Sequence, residues 1–165
     1  NKNIDLIRPS LRGDHQIENA ATAVAAIFQI QELGNIISAK AINNGLKKTI
    51  WPGRLEKRYL KNIPVYLDGA HNIDGSKQLV KFFINNAIDR WLIIGMLKNK
   101  DLKKYLSIIK KIISGVVAIK IPGEKNSFST NQIAMTCKKL NIKCIKQKNI
   151  NEKVQNLSSP LRMNN

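Results

Sequence analysis

From Pro64 onward, short apolar runs alternate with helix-patterned stretches, and this alternation constrains the fold more than any other feature of the chain. PVYL (64–67), WLIIG (91–95), VVAIKI (116–121) and IKCI (142–145) read as strands. Helical spacing of apolar residues fills about 75–86, 100–113 and 129–140, the last capped by Ser129 or Thr130. Strands this short and apolar are expected where both faces are covered. Strand–helix alternation builds a parallel sheet with helices against it, so the expectation is an α/β, three-layer architecture. One more strand-like run, 54–60, precedes PVYL, with Lys61-Asn62 as the turn between them. A further short helix is expected at 151–157. No strand pattern follows it.

The first fifty residues differ. A helix is expected over 16–33, with Ala20, Ala21, Val24, Ile27, Phe28 and Ile30 as its apolar positions and Gly34 beyond its end. Ser38 is placed to cap a second helix carrying Ala41, Ile42 and Leu46. Two helices without a sheet read as the tail of a preceding domain. This gives residues 1–50 as one domain's end and 51–165 as a second domain. The chain starts at Asn1 rather than Met and stops without a closing strand, so truncation at both ends is expected.

Three words carry chemistry. GDHQIENA (13–20) puts Asn19 on the first helix, where its amide can donate and accept at once, as reading an adenine edge requires; a helix–loop hydrogen bond is the plainer use. WPGRLE (51–56) holds Arg54 behind a Pro-Gly turn. A planar, permanently charged guanidinium suits a phosphate, and a surface ion pair with Glu56 is the plainer alternative. LDGAHN (67–72) ends the PVYL run on Asp68, at the carboxyl end of an expected sheet strand, where α/β proteins bind ligands. His71 and Asn72 then stand near a helix start, where free N–H groups favour an anion. Asp68 and Asn72 could equally be caps, and His15 a structural histidine.

The charge of +17 raises nucleic-acid binding as an alternative. The positive residues are mostly scattered lysines, and aromatics make up only 5% of the chain, so a solvated basic surface is the favoured reading. No segment has the ~18 apolar residues needed to span a bilayer. Cys137 and Cys144, with only His15 and His71 as further soft ligands, lack a zinc spacing, and no metal site is expected in this chain.

Taken in order, GDHQIENA, WPGRLE, LDGAHN and GMLKNKD (95–101) resemble the words of the folylpolyglutamate synthase and dihydrofolate synthase family, within the Mur-type ATP-dependent amide ligases. IPGEKNSFS (121–129) fits its bacterial members. The resemblance covers nearly the whole chain. It implies the helical end of a P-loop ATPase domain followed by most of a Rossmann-like C-terminal domain. No GxxxxGK[ST] phosphate loop occurs here, so that loop and the Mg2+ ligands are expected upstream. The implied reaction uses ATP to join L-glutamate to dihydropteroate or a folate through an acyl phosphate. The implied roles are Asn19 at the adenine, Arg54 at the phosphates and Asp68 at the ribose, with His71 supporting that contact as the catalytic candidate. The resemblance also implies a cytoplasmic monomer with small-molecule partners and no specific nucleic acid or membrane. This segment alone is expected to be inactive. A cell-wall Mur-type ligase is the nearest rival, and GMLKNKD leans away from it.

Overall fold

A computed structural model describes residues 5–34, 36–86 and 88–147. The helix expected at 151–157 lies outside these. The chain divides into two compact units, Asn1–Arg58 with Pro64–Gly69, and Tyr59–Ile63 with Ala70–Asn165.

The first unit carries α1 (His15–Glu32) and α2 (Ala39–Lys48). Ser38 caps α2 by accepting the Ala41 N–H at 3.2 Å, as its position before the helix demands. The segment before α1 runs along α2: Ser10 N–H donates to Leu46 O at 3.0 Å, and Ile7 N–H to Asn43 Oδ1 at 2.9 Å. The core of this unit is thin. Of the apolar positions expected on α1, only Val24 is buried; Ile42 of α2 and Leu55 of the loop after it are the other buried apolar residues described in this unit. A helix with alanines and aliphatics all round its barrel has more apolar surface than one neighbouring helix can cover.

Two strands, β1 (Glu56–Leu60) and β2 (Ile63–Leu67), form a two-stranded sheet. Lys61 and Asn62 join them with φ of 45° and 67°. Positive φ at both central residues is the signature of a type I′ turn, whose twist matches a hairpin. Arg54 and Leu55 were expected inside the first strand; they lie in the loop before it.

The second unit holds α3 (Ile73–Phe83), β3 (Trp91–Ile94), α4 (Leu102–Ile109, continued by a 3-10 turn), β4 (Gly115–Ala118), α5 (Thr130–Lys139) and β5 (Cys144–Lys146). Its strands form a parallel sheet in the order β3-β4-β5. The central strand β4 is buried along its whole length, as a strand covered on both faces should be. Leu106 and Ile109 of α4, Val116 and Val117 of β4, and Ile133 of α5 make the core. Cys137, buried on α5, sits beside the Cys144 thiol. Burial, then that neighbour, push its pKa up to about 12, so it is a core residue in the thiol form.

A second expectation is corrected. PVYL is not a strand of the parallel sheet. The two-residue turn pairs it with β1, so Asp68 follows a hairpin strand and not one of the strands β3-β4-β5. The words GMLKNKD and IPGEKNSFS do meet. Leu97 and Ser127 form an antiparallel bridge, and Phe128 N–H donates to Met96 O at 2.8 Å. The buried Ser127 hydroxyl lies at its centre, accepting the Ile121 N–H at 3.2 Å.

Candidate functional site

The loop at 51–56 is built by its turn chemistry. Pro52 and Gly53 occupy a turn, with Gly53 at φ 70°. An L side chain adopts that conformation poorly, which is why Pro-Gly belongs here. Glu56 closes the turn: its Oε2 accepts the Gly53 N–H at 2.9 Å. Its Oε1 accepts from Arg58 Nε at 2.6 Å. The Gly53 N–H first, and the Arg58 guanidinium second, hold the Glu56 carboxyl below its ordinary value of 4.5.

Leu55 then takes φ 46°, unusual for a non-glycine residue, while its side chain is almost fully buried. The conformation is secured from the far end of the hairpin. Asp68 Oδ2 accepts the Leu55 N–H at 2.8 Å, and Gly69 N–H donates to Gly53 O at 2.8 Å. The hairpin's exit is thus tied to the Pro-Gly turn, and Asp68 lies next to the backbone that carries Arg54.

Arg54 itself is exposed and makes no ion pair or hydrogen bond among the described residues. Glu56, the partner named in the plainer alternative for Arg54, is taken by Arg58 instead. Arg54 lines an open cavity of about 400 Å³, together with Trp51 from its own loop and Gln16, Asn19, Ala20 and Ala23 from α1. The alanines leave room for a flat group against the helix, Trp51 offers an aromatic face, and Arg54 and Asn19 supply the polar contacts.

The start of α1 positions the remaining polar groups. Gly13 has φ 95°, and a Cβ there would fall 2.6 Å from His15 Cε1, so only glycine lets the chain turn and the imidazole lie over it. His15 Nε2 lies 2.9 Å from Gln16 Nε2, and Asn19 Nδ2 donates to Gln16 Oε1 at 3.1 Å. His15 is therefore engaged within the fold, as its plainer reading had it.

Of the four expected ligand contacts, Asn19 and Arg54 line one cavity. Asp68 is bonded through Oδ2 to the N–H of Leu55, the residue after Arg54, and that bond serves the fold. His71 is exposed, in the second unit, one residue before Asn72. Asn72 is the N-cap of α3, its Oδ1 accepting the Gly75 N–H at 2.8 Å, so the capping alternative holds for it. Sequence reasoning passed over Gln16, buried to 6% exposure, and Trp51 as a cavity wall. The sequence signals for Gln16 are its place in the word GDHQIENA and its position three residues before Asn19, on the same helix face. Among the described residues no group of three or more His, Cys, Asp or Glu is arranged to hold a metal ion.

No protein-family model matches the chain. Individual proteins do. Over 112 residues it is 40% identical to the dihydrofolate synthase/folylpolyglutamate synthase of Bacillus subtilis, a match covering 64% of this chain and 24% of that protein. The fold superposes on the folylpolyglutamate synthase of Thermotoga maritima with a TM-score of 0.73 at 29% identity, over 94% of this chain and 36% of that one. It also superposes on the Mycobacterium tuberculosis folylpolyglutamate synthase complexed with ADP and AMPPCP, with a TM-score of 0.78 at 22% identity, over 92% and 34% of the two chains. The chain spans between 11% and 27% of the length of the curated relatives it matches.

Proposed function

This chain belongs to the dihydrofolate synthase/folylpolyglutamate synthase family, as a segment of such a protein, and from that premise we propose that the whole protein is an ATP-dependent ligase adding L-glutamate to dihydropteroate, to folates, or to both. ATP transfers its γ-phosphoryl group to the acceptor carboxylate, giving an acyl phosphate and ADP. The glutamate amine attacks the acyl carbon, loses a proton, and inorganic phosphate leaves. The contribution of this segment is to bind and place the nucleotide, since such catalysis rests on positioning and charge neutralisation.

The observation that carries the reading is the cavity of the first unit. It brings Asn19 and Arg54, chosen for base and phosphate, onto one surface beside Trp51, with Arg54 unpaired among the described residues. In this reading Asn19 meets the adenine edge and Arg54 the phosphates, and Asp68 holds a ribose hydroxyl. His71 supports that contact. Mg2+, whose ligands we assign to other parts of the protein, would offset charge on the phosphates. Residues 1–50 would close the ATPase domain, and 51–165 would form a Rossmann-like ligase domain. The protein would work as a cytoplasmic monomer.

The test is glutamate ligation by the full-length protein, with dihydropteroate and tetrahydrofolate as rival acceptors, beside Arg54→Ala and Asp68→Asn. Loss of a phosphate-binding arginine is expected to lower kcat/KM for ATP by about tenfold to a hundredfold. Full activity in both variants would move the nucleotide contacts elsewhere. A folded protein inactive with both acceptors would sink the proposed reaction.

A further inference from the structure

Gln16 is one of three buried polar side chains in the described structure, with Ser76 and Ser127, and the only one of the three in the first unit. Both ends of its amide are used. Nε2 faces His15 Nε2 at 2.9 Å, and Oε1 accepts from Asn19 Nδ2 at 3.1 Å. Among the described residues no buried side-chain polar atom lacks a partner, so this amide is not an idle passenger.

The chain of three side chains has a direction. With Gln16 Nε2 donating, His15 Nε2 is the acceptor and its ring proton sits on Nδ1. Gln16 then has only its carbonyl to offer Asn19, and Asn19 answers with an N–H. Asn19 is left with its carbonyl oxygen and one further N–H for the cavity that it lines. A carbonyl beside an N–H is the complement of adenine, whose edge sets an amino donor next to a ring-nitrogen acceptor. Were Gln16 reversed, Asn19 would spend its carbonyl and show the cavity two N–H groups. Those suit a purine with an oxygen at position 6.

We propose that Gln16 is a positioning residue that selects adenine by fixing the orientation of the Asn19 amide. It touches Asn19 rather than the base, and the inference rests on the adenine contact proposed above. The experiment is steady-state ligation by the full-length protein with ATP and with inosine triphosphate, whose base carries oxygen where adenine carries its amino group. Gln16→Met removes the acceptor at similar volume. Gln16→Asn withdraws it by one methylene and keeps a polar side chain in case the first variant does not fold. Both are expected to lower the preference for ATP about tenfold, through KM for ATP with kcat kept. In Gln16→Glu the carboxylate still accepts the Asn19 N–H, and His15 in its Nε2–H tautomer donates to the other oxygen, so the preference is expected to be retained. Asn19→Ala is the reference. A preference unchanged in Gln16→Asn while Asn19→Ala lowers it would overturn the positioning role. So would equal losses with both nucleotides, which mean general disorder of the site. A preference unchanged in Asn19→Ala would instead remove the base contact itself.

Discussion

Asp68 has a duty in the fold that must be separated from any contact with a ligand. Its carboxylate takes the N–H of buried Leu55, whose backbone is held at φ 46°. Asp68→Ala leaves that donor without its acceptor, at a cost of roughly 1–3 kcal/mol. Asp68→Asn keeps an oxygen in place and is expected to melt close to the wild type. Urea unfolding of the pair checks this. If Asn melts as low as Ala, the bond to Leu55 does not carry the stability assigned to it. Glu56 makes a prediction in pH. Its folded pKa lies below the ordinary 4.5, so its stabilising effect is complete above that value and is lost as pH falls through the lower folded one. Glu56→Gln should therefore flatten the acid limb of stability, read as the urea midpoint between about pH 6 and about pH 3. The ion pair of Glu56 was open to a closer reading. Arg54 and Arg58 both stand two residues from Glu56, and the strand decides between them: it begins at Glu56, so Arg58 shares a strand face with it while Arg54 lies in the loop before. Gln16 could not be foreseen in the same way, because burial of one polar side chain depends on what packs over it.

The helix starts and the hairpin turn were the most legible elements. Ser38, Asn72 and Ser129 each cap the helix that follows, and Ser129 forms a full capping box with Gln132. Such signals are local: the donor and acceptor lie within four residues. The partner of PVYL was not legible from its own composition, since an apolar run can pair in either kind of sheet. The decision came from the short turn at Lys61-Asn62, which was visible, and whose consequence for pairing outweighs the apolar pattern. Two substitutions test the elements of the second unit. Trp91 and Gly115 are partners in the parallel register, and a Cβ on Gly115 would lie 2.5 Å from the indole ring. Gly115→Ala is expected to cost about 1–3 kcal/mol by displacing that ring, seen as a lower midpoint and altered tryptophan fluorescence. Ser129→Ala should cost about 1 kcal/mol through loss of the box, with the indole signal unchanged. Wild-type stability in Gly115→Ala would mean that the ring moves aside without penalty.

Across the molecule, burial is uneven. In the first unit Leu33, Ile36, Ile50 and Trp51 are all more than half exposed, and α1 buries only Gln16 and Val24. In the second, β4 is wholly buried and α5 packs Ile133 and Cys137 with no exposure. Hydrogen–deuterium exchange of the 165-residue chain should find β4 and α5 among the slowest amides and α1 among the faster helices. Equal protection in α1 and β4 would contradict this. The type I′ turn has a further consequence, for the order of assembly. Hairpins close in roughly 1–10 μs. Parallel strands must wait for the crossover between them, so β3-β4-β5 depends on distant contacts. The bonds from Gly69 to Gly53 and from Asp68 to Leu55 need only the intervening hairpin. On a ribosome, the loop that presents Arg54 can therefore be knotted shut while β5 has yet to be translated.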